Sequence, residues 1–203
     1  MPTTVTTDFE TRSRLDLTKV GAHVYATHPS TDVLCVGYAV DDGEVKLWKR
    51  GEPVPAEIIT AVVDPSWGFA AFNAAFERVI WANVLCRYGW PALPPLERWC
   101  CLQARALAHA LPASLEDAAA ALKLAHQKAD SAAMRKLARP RKDGSWNEDP
   151  SLLEQLYSYC KADIEAERAL AQRLAPLSPD EQRVWRLDQE INDRGFYQWA
   201  CRD

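Results

Sequence analysis

Two periods of apolar spacing run along this chain, and the change from one to the other divides it. In the first part, period two prevails, the mark of strands with one face covered. Val5-Thr6-Thr7-Asp8-Phe9-Glu10-Thr11 puts Val5, Thr7 and Phe9 on one face of a strand and Thr6, Asp8 and Glu10 on the other. Thr11 to Arg14 reads as a polar loop, after which Leu15 to Gly21 and Val24 to Ala26 lead to a turn at His28-Pro29-Ser30. Val33 to Val40 is apolar almost throughout, as a central strand is. Asp42-Gly43 turns it into a second strand, Glu44 to Lys49, with Val45 and Leu47 on one side of the hairpin and Glu44, Lys46 and Trp48 on the other. Gly51 to Pro55 is a linker, Ala56 to Val63 is helical, and Gly68 to Phe72 is a short buried strand after the Asp64-Pro65-Ser66 turn.

At Asn73 the period changes to that of a helix. Phe76, Val79, Ile80, Val84 and Tyr88 recur at helical spacing, with Asn73 as N-cap and Glu77 in the first turns. Pro91, Pro94 and Pro95 break the chain before a last short strand, Leu96 to Cys101. Helices are predicted over Leu102 to Ala110, over Leu115 to Leu124 behind the Ser114-Leu115-Glu116-Asp117 capping box, and over Ser131 to Ala138. Arg139 to Trp146 is a basic loop. Asp149-Pro150 then opens a long helix to about Leu174, and Ser178-Pro179-Asp180-Glu181 opens the last, ended by Arg194-Gly195. Phe196 to Asp203 is too short to build anything alone. Strands first and helices later predict an α/β fold, a mixed sheet covered by helices.

Composition narrows the class without naming it. The 203 residues suit one domain with a real core. With 24 Lys and Arg against 28 Asp and Glu, the net charge of -4 excludes a polycationic coat, so a nucleic-acid partner needs a local patch or cations. Six cysteines without a CxxC predict buried thiols in a reducing compartment. The N-terminus lacks a leader pattern and no apolar run spans a bilayer, so a soluble cytoplasmic protein without membrane association, and a monomer, is expected. His23, His28, His109 and His126 form no zinc motif, and no glycine pattern cradles a nucleotide phosphate.

The candidate chemistry is acidic. Asp8 and Glu10 point the same way along one strand, and like charges that close ask for a shared cation or donor. On the long helix Leu152, Leu156, Tyr159, Asp163 and Glu167 keep to one stripe. A tyrosine there is by itself a core aromatic with its hydroxyl at the water boundary. Alongside Asp8, Glu10 and Glu77 it acquires a second reading. Asp8, Glu10, Glu77 and Asp163 in one cleft are costly as bare charges, and hard divalent cations with oxygen ligands remove that cost. Two such ions about 3.5–4 Å apart activate a water and stabilise the leaving oxygen of a phosphodiester. The basic cluster Lys128, Arg135, Lys136, Arg139, Arg141 and Lys142 is either a solvated face or a contact to the backbone of a single strand.

Three ordered segments now resemble a known family. Asp8-Phe9-Glu10-Thr11, Asn73-Ala74-Ala75-Phe76-Glu77-Arg78 and Tyr159-Cys160-Lys161-Ala162-Asp163 are similar to the exonuclease motifs of the DEDD superfamily in its tyrosine branch. The resemblance is to the proofreading 3'-5' exonuclease domain of family A DNA polymerases, particularly phage and prophage types. It implies a ribonuclease-H-like fold around a mixed five-stranded sheet, with two Mg²⁺ or Mn²⁺ ions. Asp8 would bridge the metals, Glu10 and Asp163 would hold the nucleophile-side ion, and Tyr159 would orient the attacking water. The second motif usually carries Asp where this chain has Glu77, one methylene longer. Phe9, Thr11, Asn73, Phe76, Lys128 and Arg135 are the expected substrate contacts, although strand alternation alone sends Phe9 away from Asp8. The implied partner is a single-stranded or frayed DNA 3' end, or a nucleoside monophosphate. Residues 1–175 would form the exonuclease domain and 176–203 a helical remnant of the connection to a polymerase, without polymerase activity. A catalytically silent nucleic-acid-binding remnant and a 3'-5' exoribonuclease remain the alternatives.

Overall fold

A computed structural model describes residues 3–124 and 131–195. Lys128, His126, Cys201 and the stretch from Phe196 onward lie outside them. Strand β1 spans Thr4–Arg12, helix α1 Leu17–Thr27, β2 Asp32–Val40, β3 Lys46–Lys49, α2 Ala56–Val63, β4 Gly68–Ala71 and α3 Ala74–Asn83. Then come β5, Trp99–Cys101, and helices α4, Leu102–Ala108, α5, Leu115–Ala121, α6, Ser131–Ala138, α7, Pro150–Arg173, and α8, Pro179–Arg194.

The sheet order is β3-β2-β1-β4-β5. β1 runs antiparallel to β2 and parallel to β4, which sets Asp8 opposite Gly37 and Glu10 opposite Cys35. A register shift follows Glu10 and ends the regular ladder beside the acidic pair.

Each face of the sheet has its own cover. Val5 and Phe9 of β1, with Val36 and Tyr38 of β2 and Phe69 of β4, enter an aromatic core with Trp48, Trp81, Trp90 and Trp99. Trp81 and Trp90 meet edge to face at 5.0 Å, and Phe69 stacks on Trp99 at 5.3 Å. Helix α7 covers the other face over β1 and β2, with Leu156 and Cys160 against Cys35 and Leu137. Gly37 allows this approach: a Cβ there would stand 2.8 Å from Cys160 Sγ, 3.0 Å from Ile164 Cγ1 and 3.2 Å from the Cys160 carbonyl. Trp185 of α8 belongs to the aromatic core, and Asp193 pairs with buried Arg78 at 2.9 Å, so this last helix packs on the same body.

Several elements depart from the sequence pattern. Asp16 caps a helix where only a lead-in to a turn is legible, because Gly21, at φ 75° and ψ 166°, kinks α1 and interrupts its apolar period. The helix expected to reach Tyr88 ends at Asn83 and continues as a separate 3-10 turn, Leu85–Tyr88. The hairpin's second strand begins at Lys46, and the last strand is preceded by a 3-10 turn over Leu96–Arg98. Asn73 occupies the N-cap position of α3 without a side-chain capping bond. Among the described residues no helix is long and apolar enough to cross a membrane.

Candidate functional site

The two local periods converge on one cleft. Alternation along β1 turns Asp8 and Glu10 toward α7, and the four-residue spacing on α7 brings Tyr159 and Asp163 down onto them. Oxygens of Asp8, Glu10 and Asp163 all lie within 4.8 Å of one another. Tyr159, partly buried, donates its hydroxyl hydrogen bond to Asp163.

Burial raises the carboxyls of Asp8, Glu10 and Glu77 alike. Burial, followed by Asp8, Cys35, Asp163 and Glu77, pushes the Glu10 carboxyl well above its ordinary range. Burial likewise raises Asp8 to about 6, against hydrogen bonds from Cys160 and the Phe9 backbone that pull it down. The Cys160 thiol sits 3.4 Å from Asp8 Oδ2. Tyr159 is driven above its usual value, first by burial and then by Asp163, Glu10 and Asp8, so its phenol stays protonated at neutral pH.

Glu77 enters from the first turn of α3, which begins shortly after β4 ends at Ala71. It is 4% exposed, its Oε2 has no protein hydrogen-bond partner, and burial followed by the charge of Asp8 raises its carboxyl well above normal. It stands outside the close group of three. A buried carboxylate oxygen with nothing to bond, beside three convergent carboxylates and no softer donor in the group, is what an oxygen-liganded divalent cation compensates. The residues present fit such an ion.

The expected substrate contacts divide. Phe9, expected at the substrate, is 4% exposed and packs on Trp81 and Trp90, so its ring belongs to the aromatic core. The Thr11 hydroxyl lies 3.0 Å from that of Tyr25, and Phe76 packs its ring near Tyr25 at 6.2 Å, both partly buried. Asn73 is exposed at the start of α3 and Arg135 is exposed on α6. The basic loop is tied to the Arg12 end of β1, where the Arg14 guanidinium donates to the Gly144 carbonyl at 2.8 Å and buried Arg12 lies 4.7 Å over Trp146. Arg139 pairs with Asp16 and Arg141 bonds Asn147, so part of the cluster is structurally engaged.

Cys160 was absent from the sequence-based site. Its signal was its place beside Tyr159 on the core-facing stripe, but nothing local tells that a thiol there reaches Asp8, 152 residues away.

Fold and cleft together define an α/β protein with a ribonuclease-H-like five-stranded sheet and an acidic centre suited to divalent cations. No protein-family model matches the chain. A DNA polymerase of Bacillus phage SP02 is 35% identical over 207 residues, which cover 95% of this chain and 31% of the polymerase. The chain is thus homologous to part of that polymerase and spans less than a third of its length. Brucella melitensis NrnC superposes with a TM-score of 0.54 at 14% identity, covering 98% of this chain and 88% of that one. NrnC with bound Mg²⁺ gives 0.53 at 15% identity over the same shares. The apo form of a nuclease gives 0.50 at 15% identity, covering 92% and 74%. At these identities the likeness is one of fold.

Proposed function

We propose that this chain is a metal-dependent 3'-5' exonuclease of the DEDD type, tyrosine branch, acting on single-stranded or frayed DNA and releasing nucleoside 5'-monophosphates. The observation that carries the reading is the convergence of Asp8, Glu10 and Asp163 with the Tyr159 hydroxyl on Asp163. Homology to a phage DNA polymerase over 95% of the chain supports it.

Asp8, Glu10 and Asp163 would hold one cation, and Asp8 with Glu77 the second. Two Mg²⁺ or Mn²⁺ ions bound there would supply Lewis acidity at the scissile phosphate and at the attacking water. The rest falls to the chain. Tyr159, kept neutral, cannot serve as a strong base; its hydroxyl orients the water while Asp163 fixes the hydroxyl. The Cys160 thiol steadies Asp8 from below. Asn73 and Arg135, both exposed, would contact the backbone of the strand.

End-labelled linear DNA, circular single-stranded DNA and RNA, each with Mg²⁺, with Mn²⁺ and with chelator, test the reading. Linear DNA should yield mononucleotides from the 3' end, stop with chelator, and be inert toward Asp8→Ala, while circles survive. Cleavage of circles at the linear rate would make the protein an endonuclease. Preference for RNA would move the substrate class.

A further inference from the structure

One turn beyond Asp163 on the same stripe of α7 stands a carboxylate that the reading above leaves without work. Glu167 is 1% exposed, one of the largest fully buried side chains of the protein. Its carboxylate accepts a hydrogen bond from the backbone N–H of Phe72, the residue between the end of β4 and Asn73. Its Oε2 is buried with no protein hydrogen-bond partner. Asp8, Glu77 and Asp163 are near enough that their charges act on it, and together with burial they push its carboxyl well above the normal range. No Lys or Arg among the described residues pairs with it.

A structural acceptor for one backbone N–H needs no ionisable group, since an amide does the same without the cost of a buried charge. A second acid beside Glu77, each with an unpartnered buried oxygen, is instead suited to share a positive charge. All the donors are oxygens, the set a hard divalent ion takes. Glu77 and Glu167 both lie outside the tight group of Asp8, Glu10 and Asp163, and the charge of Asp8 acts on each of them. An ion held at Asp8 also feels the charge of a carboxylate outside its own ligand shell, the more so in a poorly solvated interior.

We infer that Glu167 is the fifth acidic residue of the centre, supplying with Asp8 and Glu77 the negative charge that binds the second divalent cation. This rests on the nuclease reading of the cleft. The Phe72 bond gives Glu167 a positioning part as well, because it ties α7 to the chain segment that leads into Glu77.

Mn²⁺ titration followed by electron paramagnetic resonance counts bound ions in the whole chain, alone and with thymidine 5'-monophosphate. The unmodified protein should bind two ions with the nucleotide. Glu167→Gln keeps shape and the acceptor for Phe72; it should hold the first ion within a few-fold and weaken the second about ten-fold or more, the effect of one nearby charge. Its metal-free Tm should equal or exceed that of the unmodified protein, while the rise in Tm on adding Mn²⁺ shrinks. A second-ion affinity unchanged in Glu167→Gln overturns the inference, as does a protein that binds one ion only. If Glu167→Gln does not fold, Glu167→Asp, which keeps the charge, decides: a retained second ion supports the inference and a lost one overturns it. Failure of the underlying reading looks different. There the unmodified protein binds no Mn²⁺ and Asp8→Ala changes nothing, whereas here Asp8→Ala abolishes binding and only Glu167→Gln is silent.

Discussion

At the scale of single residues, the cleft sets one hydroxyl against several carboxylates, and their protonation decides their parts. Tyr159 stays protonated because burial and the charges of Asp163, Glu10 and Asp8 all oppose the phenolate. Tyr159→Phe removes a single hydrogen bond and leaves the ring in place. Turnover at saturating Mn²⁺ should fall about ten- to a thousand-fold, the loss expected when a nucleophile is no longer positioned, with Tm and ion affinity nearly unchanged. Unaltered turnover would return Tyr159 to the role of a core aromatic, in which case Tyr159→Ala should destabilise by about 3–5 kcal/mol instead. Glu77 is a second test at this scale. Glu77→Gln takes the charge from a buried carboxylate that Asp8 faces, and should cost turnover about a hundred-fold or more without loss of fold, measured by steady-state kinetics and thermal melting. A loss within a few-fold would mark it as an ordinary helix residue.

At the scale of elements, the site depends on how closely α7 lies on the sheet. Gly37 sits opposite Asp8 in the ladder and directly under Cys160 and Ile164. Gly37→Ala drives a methyl into Cys160 Sγ and the helix backbone, and overpacking of this kind costs about 1–3 kcal/mol. Urea unfolding should show that loss, and turnover should fall with it because lifting α7 carries Tyr159 and Asp163 away from Asp8. Adding Cys160→Ala removes the nearest atom, so the double variant should be less destabilised than the sum of the two singles. Strict additivity would show that the glycine does not set the helix height. The strands and long helices here were legible in the sequence since their periods and caps are local: Asp149 accepts from Ser151 N, and Ser178 with Glu181 forms a full capping box. What was not legible were the interruptions. Gly21 broke the period of α1, and the end of α3 at Asn83 carries no Gly or Pro to announce it.

At the scale of the whole molecule, the centre makes stability depend on pH and metal together. Asp8, Glu10, Glu77 and Glu167 have folded pKa values raised above those of the unfolded chain. The metal-free native state therefore holds protons that the unfolded state has released, and its stability falls as pH rises. The contribution is complete below the unfolded carboxylate range near 4 and is lost as pH passes through about 6 for Asp8. With chelator, denaturant midpoints should be lower at pH 7.5 than at pH 5.5, and Mn²⁺ should restore the loss at the higher pH. A metal-free midpoint that rises across this interval would contradict a proton-holding centre.

The sequence by itself determined what depends on neighbours within a few residues. Alternation fixed that Asp8 and Glu10 share a face, and the helical period fixed that Tyr159, Asp163 and Glu167 share a stripe. Only the tertiary structure decided what each face meets. It set Phe9 against Trp81 and Trp90 in the aromatic core, laid the Cys160 thiol against Asp8, and closed Glu77 and Glu167 off from water. The stripe carried Glu167 without telling that it is buried, because burial is a property of the elements that cover a side chain, and here those elements are separated from it by long stretches of sequence. The charge on Asp8 is written in its own residue type; the shift of its protonation to about 6 arises from the packing of a helix more than 140 positions away.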